Sequence, residues 1–272
     1  MDQDAPFGGK VIVFGGDFRQ VLPVVTCATR SQTIRESLVS SYLWRKIEKL
    51  KLSKNMRART DSTFSDFLLR VGNGDEPTVA DDLIALLTSI LIKNQSDNLP
   101  EDCLIKSIFP SLYENFQSID YMKDRAILTT KNEYVDMLND RIIKQFPGEG
   151  KEFYSFDEAV DDTNHHYQQE FLNTLLPNEL PPHKLVLKKH CPIILLRNLD
   201  PTNGLCNRTR MVCQDFNSNI IYAKIIMGQH AGKEVFLPRI PLSPAEDEGF
   251  LFKFKRKQFS IQLYFAMAIN KS

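Results

Sequence analysis

The sequence predicts an α/β fold with a β-rich module in its second half, and three observations carry that reading. Residues 11–14, Val-Ile-Val-Phe, run straight into Gly15-Gly16, as a strand buried on both faces does. Residues 125–142 read as strand, turn and helix. From residue 185 onward, short β-type runs recur between turn signals. At 272 residues the chain exceeds one typical domain of roughly 100–200 residues, so two domains, or one with a large insertion, are expected.

The first run ends in polar groups. Asp17 and Gln20 follow the Gly-Gly turn, and Pro23 stops regular continuation. Polar residues just past the carboxyl end of a buried strand stand where open α/β sheets bind ligands. Asp can join a metal or water network, and in nucleotide hydrolysis a glutamine can orient the attacking water. The pattern alone leaves a plain core strand followed by a loop equally open.

Residues 42–57 pass from an aromatic and apolar segment (Tyr42, Leu43, Trp44, Ile47, Leu50, Leu52) to Asn55-Met56-Arg57. Asp61-Ser62-Thr63 then offers an N-cap. Phe64, Phe67, Leu68 and Val71 follow at helical spacing, and Gly72-Asn73-Gly74 closes the helix. Residues 79–92, with Val79, Leu83, Leu86, Leu87, Ile90 and Leu91, predict a second helix, and the stretch from Pro100 to Pro110 a looser boundary.

The run from Ala126 to Thr129 predicts a short strand. Thr130 and Glu133 have capping-box spacing, and Val135, Leu138 and Ile142 continue one helical face. A turn at a helix N-terminus presents free N–H groups that can hold phosphate, although an ordinary strand–helix connection has the same local sequence. Strands are expected at 185–187, 192–196, 209–213, 220–226 and 234–237, as in a small β-barrel or sheet module. From Phe259 the chain alternates, with Phe259, Ile261, Leu263 and Phe265 on one face, and delivers Asn270-Lys271-Ser272 at its end.

Hydrophobic residues make up 42% and charged residues 25%, enough apolar material for a core. Net charge is zero, so nucleic-acid binding does not follow from global charge. The distribution is uneven. Residues 152–179 carry acids (Asp157 and Glu158 among them) and no Lys or Arg, and a solvated face is expected there. From residue 249 on, Lys253, Lys255, Arg256, Lys257 and Lys271 stand without an acid, a candidate phosphate-contacting surface. Five scattered cysteines without a C-x-x-C pair read as small buried hydrophobes in a reduced, intracellular protein. His165 and His166 lie in a polar stretch and read as solvated. No apolar stretch reaches membrane-spanning length, and the acidic N-terminus lacks a signal-peptide core, so a soluble protein is expected.

Six strings, taken in order, carry a resemblance: Pro6 to Gln20 (PFGGKVIVFGGDFRQ) with Leu22-Pro23-Val24; Leu52-x-x-Asn55-Met56-Arg57; Ala126 to Glu133 (AILTTKNE); Pro192 to Asp200 (PIILLRNLD) with Gly204 to Asn207 and Thr209-Arg210; Phe252 to Phe259 (FKFKRKQF); and Phe265 to Ser272 (FAMAINKS). Together they span almost the whole chain. It resembles the Pif-like family of superfamily-one DNA helicases, in particular the branch tied to Helitron-type transposons.

The resemblance implies a partial P-loop (RecA-like) helicase core: two α/β domains with ATP and Mg²⁺ between them and a small β-barrel insert in the second. It divides the chain into residues 1–118 (first RecA-like domain and linker), 119–170 (first part of the second), 171–258 (insert) and 259–272 (return segment). Such enzymes couple ATP hydrolysis to 5′-to-3′ movement on single-stranded DNA and unwind duplex DNA, with nuclear roles in repair, recombination and telomere maintenance. By motif position, Gly16, Asp17 and Gln20 match the phosphate-sensing motif, and Arg57 matches the arginine that reaches the same phosphate. Thr130, Asn132, Asn270, Lys271 and Ser272 match DNA-gripping positions. The region 171–258 matches the insert, and its Lys188, Lys189, Arg197, Arg208 and Arg210 are candidates to track phosphates.

The departures matter as much. No G-x-x-x-x-G-K-[ST] string occurs among the 272 residues. The family's acidic Mg²⁺ motif is expected upstream of Pro6 and its final arginine motif beyond Ser272, so a fragment is expected, without ATPase activity of its own. His190 and Arg208 stand where the family pattern expects glycine, and if those glycines serve positive-φ turns, the side chains strain the hairpins. Ala268 stands where Thr is expected. The alternative is a catalytically inactive remnant that binds single-stranded DNA or another protein.

Overall fold

The computed structural model describes residues 6–17, 25, 27–52, 61–81, 83–92, 99–162, 166–177, 180–244, 250 and 252–268. The chain divides into two compact units, residues 1–91 and 92–271.

In the first unit, α1 (Arg30–Arg35) starts at a capping box in which Thr29 and Gln32 exchange hydrogen bonds. The helix α2 (Ser62–Asn73) forms where its signals put it. The Asp61 carboxylate accepts the Phe64 N–H at 2.9 Å, and Gly74 ends the helix at φ 78°. Two expectations fail here. Residues 10–17 form no strand, and Val11 and Val13 are 95% and 88% exposed. A strand buried on both faces needs ladder partners on both sides, and among the described residues no strand pairs with this run. The helix expected over 79–92 is instead a hairpin of β1 (Thr78–Ala80) and β2 (Leu83–Ile84), followed by one 3₁₀ turn. β-Branched Thr78 and Val79 favour extended backbone, and Asp81, at φ 45°, reverses the chain.

The second unit opens with α3 (Pro100–Ile108), where a loose boundary was expected. Pro100 at the first helical position and Glu101 and Asp102 in the first turn are helix-start signals. Short helices α4 (Leu112–Asn115) and α5 (Ile119–Lys123) lead into β3 (Ile127–Thr129) and α6 (Asn132–Gln145). The apolar face of α6 is buried at Val135, Leu138, Ile142 and Ile143. Its expected capping box is absent. The helix starts at Asn132 with no side-chain cap, and Thr129 Oγ1 accepts the Lys131 N–H at 3.4 Å instead.

The rest is mainly β: β4 (Lys151–Tyr154), β5 (Phe156–Ala159), β6 (Lys184–Leu187), β7 (Pro192–Leu195), β8 (Arg210–Phe216), β9 (Ile220–Ile225), β10 (Glu234–Leu242), β11 (Phe254–Phe259), β12 (Ile261–Leu263) and β13 (Ala266–Ala268), with α7 (Gln169–Thr174) between β5 and β6. Strand pairing runs β12-β7-β8-β9-β10-β11-β5, with β4 on β6 and β13 on β3. Only Ser260 separates β11 from β12, so the strand order returns on itself around a core of Ile193, Leu195, Met211, Ile221, Ile261 and their neighbours. The alternating run expected from Phe259 is thus broken into β12 and β13. Ser260 and Tyr264 on its other face are buried too, at 2% and 1% exposed.

Two charge assignments change. Asp157, expected on a solvated face, and Arg256, expected on a phosphate-contacting surface, are fully buried against each other. Arg256 Nε and Nη2 donate to the two Asp157 oxygens at 2.9 and 2.7 Å, and its remaining donors reach the Pro181 and Leu172 carbonyls. Of the five cysteines, Cys191 and Cys213 are buried as expected, whereas Cys27 is exposed.

His190 and Arg208 both sit at φ 69°. Each is the third residue of a four-residue turn, closed by Cys191 N–H to Lys188 C=O at 3.2 Å and by Thr209 N–H to Cys206 C=O at 3.0 Å. That backbone suits glycine and costs an L-residue about 1–2 kcal/mol. Arg208→Gly therefore raises unfolding free energy in urea by about 1 kcal/mol, after allowing for glycine's extra chain entropy, while Arg208→Ala brings no such gain.

Removing one member of the buried pair strands the other. Arg256→Met lowers stability by about 3–5 kcal/mol, and adding Asp157→Leu recovers most of that loss, as chemical denaturation of the single and double variants will read.

Candidate nucleic-acid interface

Strands β3 and β13 pair in parallel, with Ala266 opposite Ile127, Met267 opposite Leu128 and Ala268 opposite Thr129. Parallel neighbours share a carboxyl edge. One of the sequence-predicted segments, Thr130 to Asn132, therefore leaves the sheet at its carboxyl edge, where open α/β sheets hold ligands. Thr130 and Asn132 are exposed there, at the uncapped start of α6. Free N–H groups and the helix dipole favour an anion at such a position. Glu133 in the first turn opposes it.

A buried side chain holds this edge together. Asn139, 5% exposed in the middle of α6, accepts the Ala266 N–H on Oδ1 at 2.9 Å. Its Nδ2 donates to the carbonyls of Leu263 and Ala266, both at 3.2 Å. The amide thus behaves like a backbone ladder partner for the corner between β12 and β13. Ile127 N–H adds a bond to Phe265 C=O at 2.8 Å. Arg141 ties α6 to α3 through two bonds to Asp102, at 2.8 and 2.6 Å. Sequence reasoning missed Asn139, yet its signal was present: an amide inside the apolar stripe Val135, Leu138, Ile142.

Arg210 lies beside this edge. Its guanidinium stands 4.5 Å from the centre of the Tyr264 ring and reaches the sulfurs of Met227 and Met267 at 3.2 and 3.9 Å. Burial pushes the Tyr264 phenol up, against the lowering pull of Arg210.

The other predicted contacts are dispersed. Lys188 Nζ donates to the Phe146 carbonyl at the far end of α6, about 20 Å along the helix from Asn132. Arg197 donates to the Ser243 carbonyl. Lys189 pairs with Asp215 at 2.9 Å. Gly16 and Asp17 lie in the exposed irregular run, and Gln20, Arg57, Asn270, Lys271 and Ser272 fall outside the described residues. Among the described residues no three His, Cys, Asp or Glu side chains converge, so no metal position is assigned. No helix among them is long and apolar enough to cross a membrane.

Residues 1–82 match the family described as PIF1-like helicase, and residues 170–216 match the DNA helicase Pif1 2B domain. The chain is 25% identical over 286 residues to the ATP-dependent DNA helicase PIF1 of Xenopus laevis, covering 99% of this chain. The Saccharomyces cerevisiae (strain YJM789) protein of that name is 29% identical over 202 residues, 72% of this chain. The chain is thus similar to Pif1-like helicases in two separate segments and, by its curated relatives, over almost its whole length. It spans 36% of the length of the Xenopus protein and 19% of the yeast one. Among solved structures it is similar to Pif1 helicase from Candida albicans (TM-score 0.60, 20% identity, 99% of this chain and 57% of that one). It is also similar to Pif1 helicase from Bacteroides in complex with ADP-AlF3 and ssDNA (TM-score 0.59, 16% identity, 99% and 55%). The mixed helix–sheet fold matches these Pif1 structures and their RecA-like core, as the α/β reading expected.

Asn139 generates a prediction of its own. Asn139→Leu keeps the volume but strands the Ala266 N–H, and it lowers stability by about 1–3 kcal/mol. Hydrogen exchange reads the same loss locally, with Ala266 and Ile127 N–H protection falling more than that of β8 and β9.

Proposed function

We propose that this chain is part of an ATP-dependent DNA helicase that moves 5′ to 3′ on single-stranded DNA and unwinds duplex, with nuclear roles in repair, recombination and telomere maintenance. The observation that supports the reading is the parallel β3–β13 pair, at whose carboxyl edge Thr130 and the exposed start of α6, positions of the family's DNA-gripping pattern, lie. In this reading residues 1–118 belong to the first RecA-like domain and its linker, 119–170 and 259–272 to the second, and 171–258 to the insert. Thr130, Asn132 and the residues from Asn270 to Ser272 hold the DNA backbone by short polar contacts. Lys188, Arg197 and Arg210 add positive charge from the β-module. Such contacts position a strand without reading its bases.

In the same reading the ATP terminal phosphate lies against residues 16–20. Gln20 orients the attacking water, Asp17 supports it, and Arg57 spreads the charge that develops in phosphoryl transfer. An arginine in that role is worth roughly 10³–10⁵ in rate. ATP is bound with Mg²⁺, which offsets phosphate charge when present.

The test is single-stranded DNA affinity by fluorescence anisotropy across a salt series. Binding is expected to fall on a log–log slope of about −0.7 per phosphate contact, and Thr130→Ala with Asn132→Ala weakens it several-fold. The 272 residues alone are expected to turn over no ATP, because they contain no Gly-rich phosphate loop. DNA-stimulated turnover abolished by Gln20→Ala would overturn that part. Absence of DNA binding even at low salt would overturn the whole.

A further inference from the structure

The basic stretch from Lys253 to Lys257 is divided by strand geometry. In β11, Arg256 turns inward to Asp157, while Lys255 and Lys257 share the opposite face with Lys253 at the strand's start. Lys253 is held in line by two backbone bonds at 2.9 Å, its N–H to Asp161 Oδ1 and its C=O from Val160 N–H. Three lysines therefore recur along one face, two residues apart each time, with backbone spacing of about 7 Å.

Beside that row lies an exposed ring. Phe156 of β5 stands directly opposite Lys257 and is 68% exposed, and Glu158 stands opposite Lys255. With Pro241 they line a hollow of about 310 Å³, large enough for a flat ring. Among the described residues neither Lys255 nor Lys257 reaches a carboxylate at ion-pair distance. The nearby acid Asp157 is already neutralised by Arg256, which leaves Glu158 and Asp161 against three lysines.

A row of cations along a strand, with a largely exposed aromatic ring at its side that the Arg239 guanidinium approaches at 5.9 Å, matches a polyanion with stackable bases better than it matches water. We propose that the Lys253–Lys255–Lys257 row and Phe156 form a track for single-stranded nucleic acid, on which the lysines follow phosphates and Phe156 stacks one base. This track is separate from the β3–β13 edge and rests on the reading that the protein binds DNA. Stacking on an aromatic side chain is tolerant of base identity, so the track carries no sequence preference.

Anisotropy with fluorescein-labelled oligo-dT tests it on the full chain. Phe156→Ala is expected to weaken binding about five-fold or more, and Phe156→Trp to retain it and show fluorescence quenching on binding. The triple substitution of Lys253, Lys255 and Lys257 by Gln is expected to flatten the salt slope by about 2. Phe156 is exposed, so unchanged thermal melting will show that its variants remain folded. Wild-type binding with unchanged affinity and slope in these variants overturns the track and leaves the β3–β13 reading standing. Competition by poly-glutamate as strong as by oligo-dT, with no effect of Phe156→Ala, overturns the track as well. No binding by the wild type removes both readings together.

Discussion

The second unit depends on one interaction, the buried pair of Asp157 and Arg256. The two residues stand opposite each other in the β5–β11 register, so their contact also fixes which residues of these strands face inward. A slip of one residue would turn Asp157 to solvent and leave a guanidinium buried without a counter-charge. Arg256 further reaches the Leu172 carbonyl in α7 and the Pro181 carbonyl before β6. Ser155 Oγ adds a 2.6 Å bond to Asp157 and contacts His183 Nδ1 at 2.8 Å. A buried ion pair adds little net stability over a well-packed apolar substitute. Its contribution here is register and the attachment of three otherwise separate segments.

Gln258 repeats this logic one step along the strand. Fully buried, it donates to the carbonyls of Phe153 and His183 and accepts from Arg239 and from the Phe259 N–H. Arg239 in turn lies 4.8 Å from the Phe259 ring centre and bonds the Tyr154 carbonyl. Polar residues therefore occupy the inward positions of β11 where its partners change from β10 and β5 to the turn at Ser260. Apolar side chains could fill that space, but they could not bond the Phe153 carbonyl and the Phe259 N–H that Gln258 engages, nor accept from Arg239. Asn139 does the same for the corner between β12 and β13. Buried amides and one ion pair hold the places where the sheet bends, and the apolar core fills the volume between them.

What the sequence disclosed follows from the range of each interaction. The caps of α2, the apolar face of α6 and the strands β6 to β9 rest on neighbours within a few residues, and all were legible. The Asp157–Arg256 pair joins residues 99 apart, and Asn139 reaches 127 residues to Ala266, so no local pattern could declare either. The first apolar run failed for the same reason, since its strand character depended on partners elsewhere. At the candidate site, the types of Thr130 and Asn132 were readable, whereas their place at the carboxyl edge of the β3–β13 pair required the fold. His190 and Arg208 were the most informative departures: each replaces an expected glycine, and each adopts the positive φ that glycine would serve.

The five residues from Lys253 to Lys257 show why charge counting alone misreads a strand. As a run they form a single basic patch. As an extended chain they divide by parity, with Phe254 and Arg256 inward and Lys253, Lys255 and Lys257 outward. The inward arginine uses its planar fork on a carboxylate and two carbonyls, a geometry that a lysine cannot copy. The outward lysines keep flexible, hydrated charges that can follow a moving backbone. The choice of Arg at one parity and Lys at the other is thus a physical division of labour, in which the residue that sets the register of β11 also holds its lysine row to the solvent side.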